Sequence, residues 1–313
     1  MSEVPTEQWA RRSQALGVPS TRGYLLTVLG EFVLPVGGRV WTAALLDALG
    51  ALGVEERTAR QAVWRSAERG LLESERIGRR TRWALSDAAR RLLSEGTRRI
   101  YSLHREPRPW DGRWLLLYVS VPESQRDLRH RMRNRLGWAG FASIGSGTWV
   151  SPWIDRETEA RDVLEDLGLA GAARSFIAQP GGIGDVNEMV AATWPLGEIG
   201  AGYAAFLERF GSSSAAESGY DAFVSQVRLV HEWRRFPFLD PDLPGDLLPR
   251  DWSGYRAAEL FHRLHEQWRS PAWSWWRERM EASGPMVVPS DTPPKAAPKA
   301  PPQTSSDTPG PPV

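Results

Sequence analysis

The sequence predicts an α+β chain of three successive units: helices with a hairpin, then a βαββαβ unit, then helices. Three observations carry that reading. Apolar residues recur at helical spacing up to residue 69, cluster into short strands between 71 and 178, and return to helical spacing from 196. Two breaks, Glu106-Pro107-Arg108-Pro109 and Pro180-Gly181-Gly182, fall between these stretches. The 313 residues, 41% hydrophobic and 25% charged, suit a soluble globular chain of two or three domains.

Residues 1–19 are expected to form a flexible N-terminal arm. Tyr24, Leu25, Val28, Leu29 and Phe32 follow at helical spacing until Pro35. A second helix is expected from Trp41 to Leu49 and a third from Glu55 to Arg69, stopped by Gly70 at a helix C-terminus. Leu71–Arg76 and Thr81–Leu85 read as a hairpin turning at Gly78. Ser86 caps a further helix, Asp87–Leu93. Three helices, a hairpin and a helix is the order of a winged helix-turn-helix, spanning 20–105. Residues 110–182 contain an apolar strand, Trp114–Val121, then a helix, two strands, a helix and a strand, the order of a ferredoxin-like sandwich. Residues 183–282 form a helical C-terminal domain, with amphipathic stretches at Leu196–Phe210, Tyr220–Arg234 and Tyr255–Trp268. Residues 283–313, rich in Pro, Ala, Ser and Thr, are expected to be disordered.

Charge is divided unevenly. Residues 1–105 carry 17 Lys+Arg against 11 Asp+Glu, a net of +6, whereas the remainder carries 22 against 27, a net of −5. A basic N-terminal third points to a polyanionic partner for that third. In the third helix Ala59, Ala62, Val63 and Ser66 make a narrow packing face. Arg57, Thr58, Arg60, Gln61 and Arg65 point away from it. These side-chain types match base edges in the major groove: arginine for guanine, glutamine for adenine, a threonine methyl for thymine. Arg76, Arg79, Arg80 and Arg82 crowd the hairpin turn, suited to phosphates or a minor groove. Together they imply binding to double-stranded DNA.

Catalysis has little support. With no cysteine there is no disulfide, thiolate site or cysteine nucleophile, which fits a cytoplasmic protein. No catalytic triad or carboxylate pair stands out, and no apolar run reaches the ~18 residues of a membrane span. His262 and His265 have a spacing that can share a metal, but no third ligand is evident, so they read as a solvated helix flank. No metal site or cofactor is expected.

The ordered landmarks resemble the PaaX family of bacterial repressors of phenylacetate catabolism. They are Glu56-Arg57-Thr58-Ala59-Arg60-Gln61-Ala62-Val63, Gly78-Arg79-Arg80-Thr81-Arg82-Trp83-Ala84-Leu85-Ser86, Arg99-Ile100-Tyr101, Gly147-Thr148-Trp149-Val150-Ser151-Pro152-Trp153, Asp240-Pro241-Asp242-Leu243-Pro244 and Trp252-Ser253-Gly254. The resemblance implies a homodimeric repressor on an operator, released by an aryl- or acyl-CoA effector such as phenylacetyl-CoA. Such a ligand calls for arginines and an aromatic slot, and Trp149, Trp153, Trp194 and Trp233 are the candidate lining, although 16 tryptophans make core packing the default for any one of them. The middle unit also resembles small CRISPR-associated nucleases. Its first strand ends Tyr118-Val119-Ser120-Val121, without their metal-binding aspartate. The alternatives are a metal-dependent nuclease or metabolic enzyme with an accessory winged helix, or a protein-interaction module that no longer binds DNA.

Overall fold

In the first unit the Ser20 hydroxyl accepts from the Gly23 N–H at 3.1 Å and caps helix α1, Thr21–Val28. The computed structural model describes residues 20–284 apart from Pro107 and Ala215. The expected N-terminal arm, and the expected tail beyond Gly284, lie outside the described residues. α1 runs on through a π-helical turn, Leu29–Val33, and a 3₁₀ turn, Leu34–Val36.

A strand absent from the sequence reading follows, β1, Arg39–Trp41. Three residues are too few to display alternation. They are recruited because Arg39, Val40 and Trp41 pair antiparallel with Ala84, Trp83 and Arg82. Helices α2, Thr42–Ala51, and α3, Glu56–Glu68, come next. Strands β2, Leu72–Ile77, and β3, Arg80–Leu85, close a two-residue hairpin in which Ile77 faces Arg80. Gly78 takes φ +60, a first central position that tight hairpins reserve for glycine. Helix α4 spans Asp87–Ser102, twice the expected length, and delivers Arg99 and Tyr101 to the neighbouring units.

The middle unit contains β4, Trp114–Val119, α5, Arg126–Trp138, β5, Ala142–Gly145, β6, Thr148–Ser151, α6, Glu157–Asp166, and β7, Ala173–Ala178. Its antiparallel sheet has the order β5-β6-β4-β7. Alternation along β4 sends Leu115, Leu117 and Val119 toward Met132, Leu136, Val163 and Leu164 of α5 and α6. Trp114 and Leu116 face the other way, against Trp194, Val190, Leu243 and Leu247. Both faces of β4 are therefore packed along most of its length, the second by residues from beyond 185, while the edge strand β7 leaves Phe176 and Ile177 exposed.

The last unit holds α7, Val186–Thr193, α8, Leu196–Phe210, α9, Gly219–Trp233, the short α10, Phe236–Leu239, and α11. α11 runs from Ser253 to Ser283 through Pro271, so Ser283 is helical rather than the start of a disordered tail. Burial of Ala272, Trp276 and Met280 beyond the proline explains the continuation: tertiary packing outweighs the helix-breaking residue. The first and last units share one core. Leu25, Phe32, Leu45 and Leu49 belong to the same buried cluster as Phe223, Trp233, Phe261 and Trp276. Phe32 lies 5.0 Å from Phe223 between ring centroids.

Two polar features sit inside that shared core. Glu31, in the π turn, accepts from Gln226 at 3.1 Å, pairs with His265 at 2.9 Å, and accepts from the Tyr101 hydroxyl. Burial pushes the Glu31 carboxyl up, but His265, Tyr101 and Gln226 outweigh it and hold it below its ordinary range. His265 is thus tied into a buried network, not a solvated flank. His231 packs against Tyr24 at 4.6 Å, where Gly23 leaves no room for a Cβ. Burial, reinforced by Arg234, pushes the His231 imidazole down to about 4.

Candidate nucleic-acid interface and the cavity behind it

α3 is amphipathic in the simplest sense. Ala59, Val63 and Ser66 are buried, and the Ser66 hydroxyl donates to the Ala62 carbonyl at 2.8 Å. The opposite face exposes Arg57, Thr58, Arg60, Gln61 and Arg65. Trp64 is 62% exposed on this face, its indole N–H donating to Glu68 at 3.1 Å. Arg60 is not free: its guanidinium grips Glu56 one turn earlier, at 2.6 and 3.0 Å. Such exposed pairs are worth only about 0.3–0.5 kcal/mol, so Arg60 can exchange Glu56 for another partner at small cost.

The four hairpin arginines divide into two kinds. Arg76 and Arg79 are exposed and form no ion pair among the described residues. Arg82 lies across the hairpin on Glu75, at 2.7 Å, with its guanidinium 5.8 Å from the Trp41 ring. Burial raises the Glu75 carboxyl, but Arg82 and then Arg39 bring it below its ordinary range. Arg80 donates to the Ser283 carbonyl at 2.8 Å, at the end of α11. Arg80 and Arg82 therefore brace the hairpin in this state. Sequence adjacency groups all four arginines, because their partners lie across the strand or 203 residues away.

A cavity of about 1000 Å³ opens where the three units meet. α4 supplies Arg98 and Arg99, α5 supplies Arg133 and Trp138, and the middle unit adds Trp149 and Arg156. Trp194, Phe238, Asp240 and Asp242 come from the last unit. Arg99 bridges the walls: it pairs with Glu159 and donates to the Trp138 carbonyl at 3.0 Å. The Trp138 ring meets Phe238 edge-on at 4.2 Å.

One wall is a buried polar lattice. Asp240 accepts from the Tyr203 hydroxyl and the Asp242 N–H, each at 2.7 Å, and pairs with His104 at 2.7 Å. Burial lowers the His104 imidazole, yet Asp240 and Asp242 hold it above its ordinary value. Burial, and then the charge of Asp240, push the Asp242 carboxyl up to about 6.

Of the four tryptophans read as ligand-lining, Trp149 and Trp194 line this cavity. The Trp149 indole N–H is buried without an acceptor. Trp153 stands just behind, donating to the Asp242 carbonyl at 2.7 Å beneath the Arg108 guanidinium. Trp233 is elsewhere: it is fully buried in the shared core, stacked on Phe261 at 4.7 Å and donating to the Ile100 carbonyl. The cavity arginines, Arg98, Arg99, Arg108, Arg133 and Arg156, escaped the sequence reading because four separate segments contribute them, with no motif. Among the described residues no group of three or more His, Asp or Glu is placed to hold a metal ion, and no helix is long and apolar enough to cross a membrane.

Comparison with known proteins covers nearly all of this. Residues 20–89 match the model of "PaaX-like protein", 107–190 that of "PaaX protein central Cas2-like domain", and 194–278 that of "PaaX-like protein C-terminal domain". The transcriptional repressor PaaX of Escherichia coli strain K12 is 31% identical over 277 residues, 85% of this chain and 86% of that protein. Among solved structures, the uncharacterized protein Rv0674 from Mycobacterium tuberculosis is similar, with a TM-score of 0.49 and 23% identity over 77% of this chain and 89% of that one.

Proposed function

This chain belongs to the PaaX family, and from that membership we propose that it is a cytoplasmic DNA-binding transcriptional repressor, not an enzyme, that acts as a homodimer. Residues 20–105 are the winged helix-turn-helix, with α3 as the recognition helix and β2–β3 as the wing. Residues 110–182 are the ferredoxin-like unit, a reading supported by the sheet order β5-β6-β4-β7. Residues 183–282 are the helical unit.

The observation that carries this function is the outer face of α3, where Arg57, Thr58, Gln61 and Arg65 stand exposed on a helix whose other face is fully packed. Arg60 joins them by releasing Glu56. Arg76 and Arg79 contact phosphate, and Arg80 and Arg82 set the hairpin's pose. Two such helices in a dimer enter successive major grooves of a pseudo-palindromic operator.

The cavity takes the effector, an aryl- or acyl-CoA thioester. Its arginines suit the phosphates, and Trp138, Trp194 and Phe238 offer aromatic surface to the acyl part. Release follows if the ligand binds the DNA-incompetent arrangement better than the competent one.

Fluorescence anisotropy on operator and random duplexes tests the division of labour. Arg60→Ala should lose about 1–3 kcal/mol on operator and little on random DNA. Arg79→Ala should weaken both alike and reduce the salt slope by about 0.9 per contact. Equal losses for both variants on both duplexes would contradict these roles. A panel of acyl-CoA thioesters, scored for operator release, tests the effector reading.

A further inference from the structure

The middle unit contains a charge concentration that the reading above uses only at Arg133. Beyond residue 105 the chain is net negative, with 22 Lys+Arg against 27 Asp+Glu. Within it α5 reads Arg126-Asp127-Leu128-Arg129-His130-Arg131-Met132-Arg133-Asn134-Arg135, five arginines against one aspartate. Arginine-rich coding would scatter such residues; here half of a ten-residue stretch is arginine in an otherwise acidic body.

The structure separates the five by what they touch. Arg129 donates to the Glu123 carbonyl at 2.9 Å, and Arg135 pairs with Asp166 at 2.5 Å. Arg126, Arg131 and Arg133 are exposed and form no ion pair among the described residues, with His130 exposed among them. Met132 and Leu136 anchor the opposite face in the sheet core. The fold thus holds the helix by its apolar side and directs three arginines without an ion pair away from that core.

α4 leads from the first unit to this charge. α4 starts directly after strand β3 of the hairpin and ends against α5, where Arg99 reaches the Trp138 carbonyl at 3.0 Å. Arg91 and Arg98 are exposed along α4, and Arg98 shares the cavity rim with Arg133. α4 and α5 are about 24 and 20 Å long at 1.5 Å per residue, so each is long enough to follow roughly 6–7 bp of duplex.

From this we infer that α5 is a second DNA-contacting surface, which binds the phosphate backbone flanking the operator through Arg126, Arg131 and Arg133 without reading bases. The inference rests on the DNA-binding reading above and adds a separate site to it. Phosphate contacts of this kind carry affinity and register, not sequence information. Arg126 and Arg131 are outside the cavity lining, so altering them leaves the effector walls intact.

The experiment compares two duplexes: the minimal operator, and the same operator extended by about 12 bp of arbitrary sequence on each side. The full-length wild-type protein should bind the extended duplex roughly tenfold more tightly near 0.1 M salt, with a steeper salt dependence. In R126A/R131A that gain should vanish, and the salt slope on the extended duplex should fall by about 1.8 per protomer, at 0.9 per lost phosphate contact. Binding to the minimal operator should be unchanged. R126K/R131K should restore the gain, because only the charge is required. If R126A/R131A retains the gain, or weakens both duplexes equally, the inference is overturned. If the wild-type protein binds neither duplex, it is the DNA-binding reading that fails.

Discussion

Glu31→Ala is expected to cost about 3–5 kcal/mol of folding stability, the usual penalty for removing one member of a buried ion pair. Three groups lose their acceptor at once: His265, Tyr101 and Gln226 all address this carboxylate. They come from α4, α9 and α11, so the loss falls on the seam between the first and last units. Urea unfolding monitored by tryptophan fluorescence measures it. The paired change Glu31→Leu with His265→Leu should recover only part of the loss, since it removes the carboxylate and the imidazole together but leaves Tyr101 and Gln226 without an acceptor. A single-variant loss below about 1 kcal/mol would show that the network is slack. The pH dependence has a definite sign. The folded carboxyl lies below its ordinary value of 4.5, so its stabilisation is present above that pH and disappears as the pH falls through the folded value. In Glu31→Ala this part of the acid sensitivity should be missing.

Asp240→Ala should be nearly as damaging, about 3–5 kcal/mol by the same reasoning. Asp240 is 6% exposed and serves His104, Tyr203 and the Asp242 N–H. Its removal leaves a buried hydroxyl and a buried imidazole without their acceptor. The two defects differ in where they act. Asp240 is in the cavity wall, so its loss also alters the Asp242 carboxyl, which the Asp240 charge helps to raise. Asp240→Asn keeps the shape and should cost less, about 1–3 kcal/mol. Thermal melting ranks the three proteins. If Asp240→Ala melts within a degree or two of wild type, this lattice is not a structural joint.

How much of this was written in the sequence depends on distance along the chain. α8 begins and ends where its apolar spacing does, Leu196–Phe210, because local periodicity alone sets it. β1 was invisible, since its only justification is a partner strand more than 40 residues later. The apolar spacing of α11 predicts an end at Trp268; burial of Ala272, Trp276 and Met280, with Trp276 packed near Phe32 and Phe223, carries the helix past Pro271. The candidate interface follows the same rule. Exposure of the α3 arginines follows from helical phase. Arg80 and Arg82 looked equivalent to Arg79, and only their tertiary partners, Ser283 and Glu75, set them apart. Trp233 could not be distinguished from Trp149 in one dimension: both are buried aromatic residues, and the cavity lies beside only one.

The core shared by the first and last units also governs how the chain is made. A ribosome delivers Leu25, Phe32 and Leu45 early, but their partners Phe223, Phe261 and Trp276 follow only after the whole middle unit. At about 5–20 residues per second the interval from Phe32 to these partners is roughly 10–50 s. During it the emerging first unit carries an unmatched apolar side, and the middle unit is the first that can close its own core. Synthesis therefore passes through a stage in which α3 exists before the scaffold that holds its unit, and holdase chaperones have a defined window in which to bind.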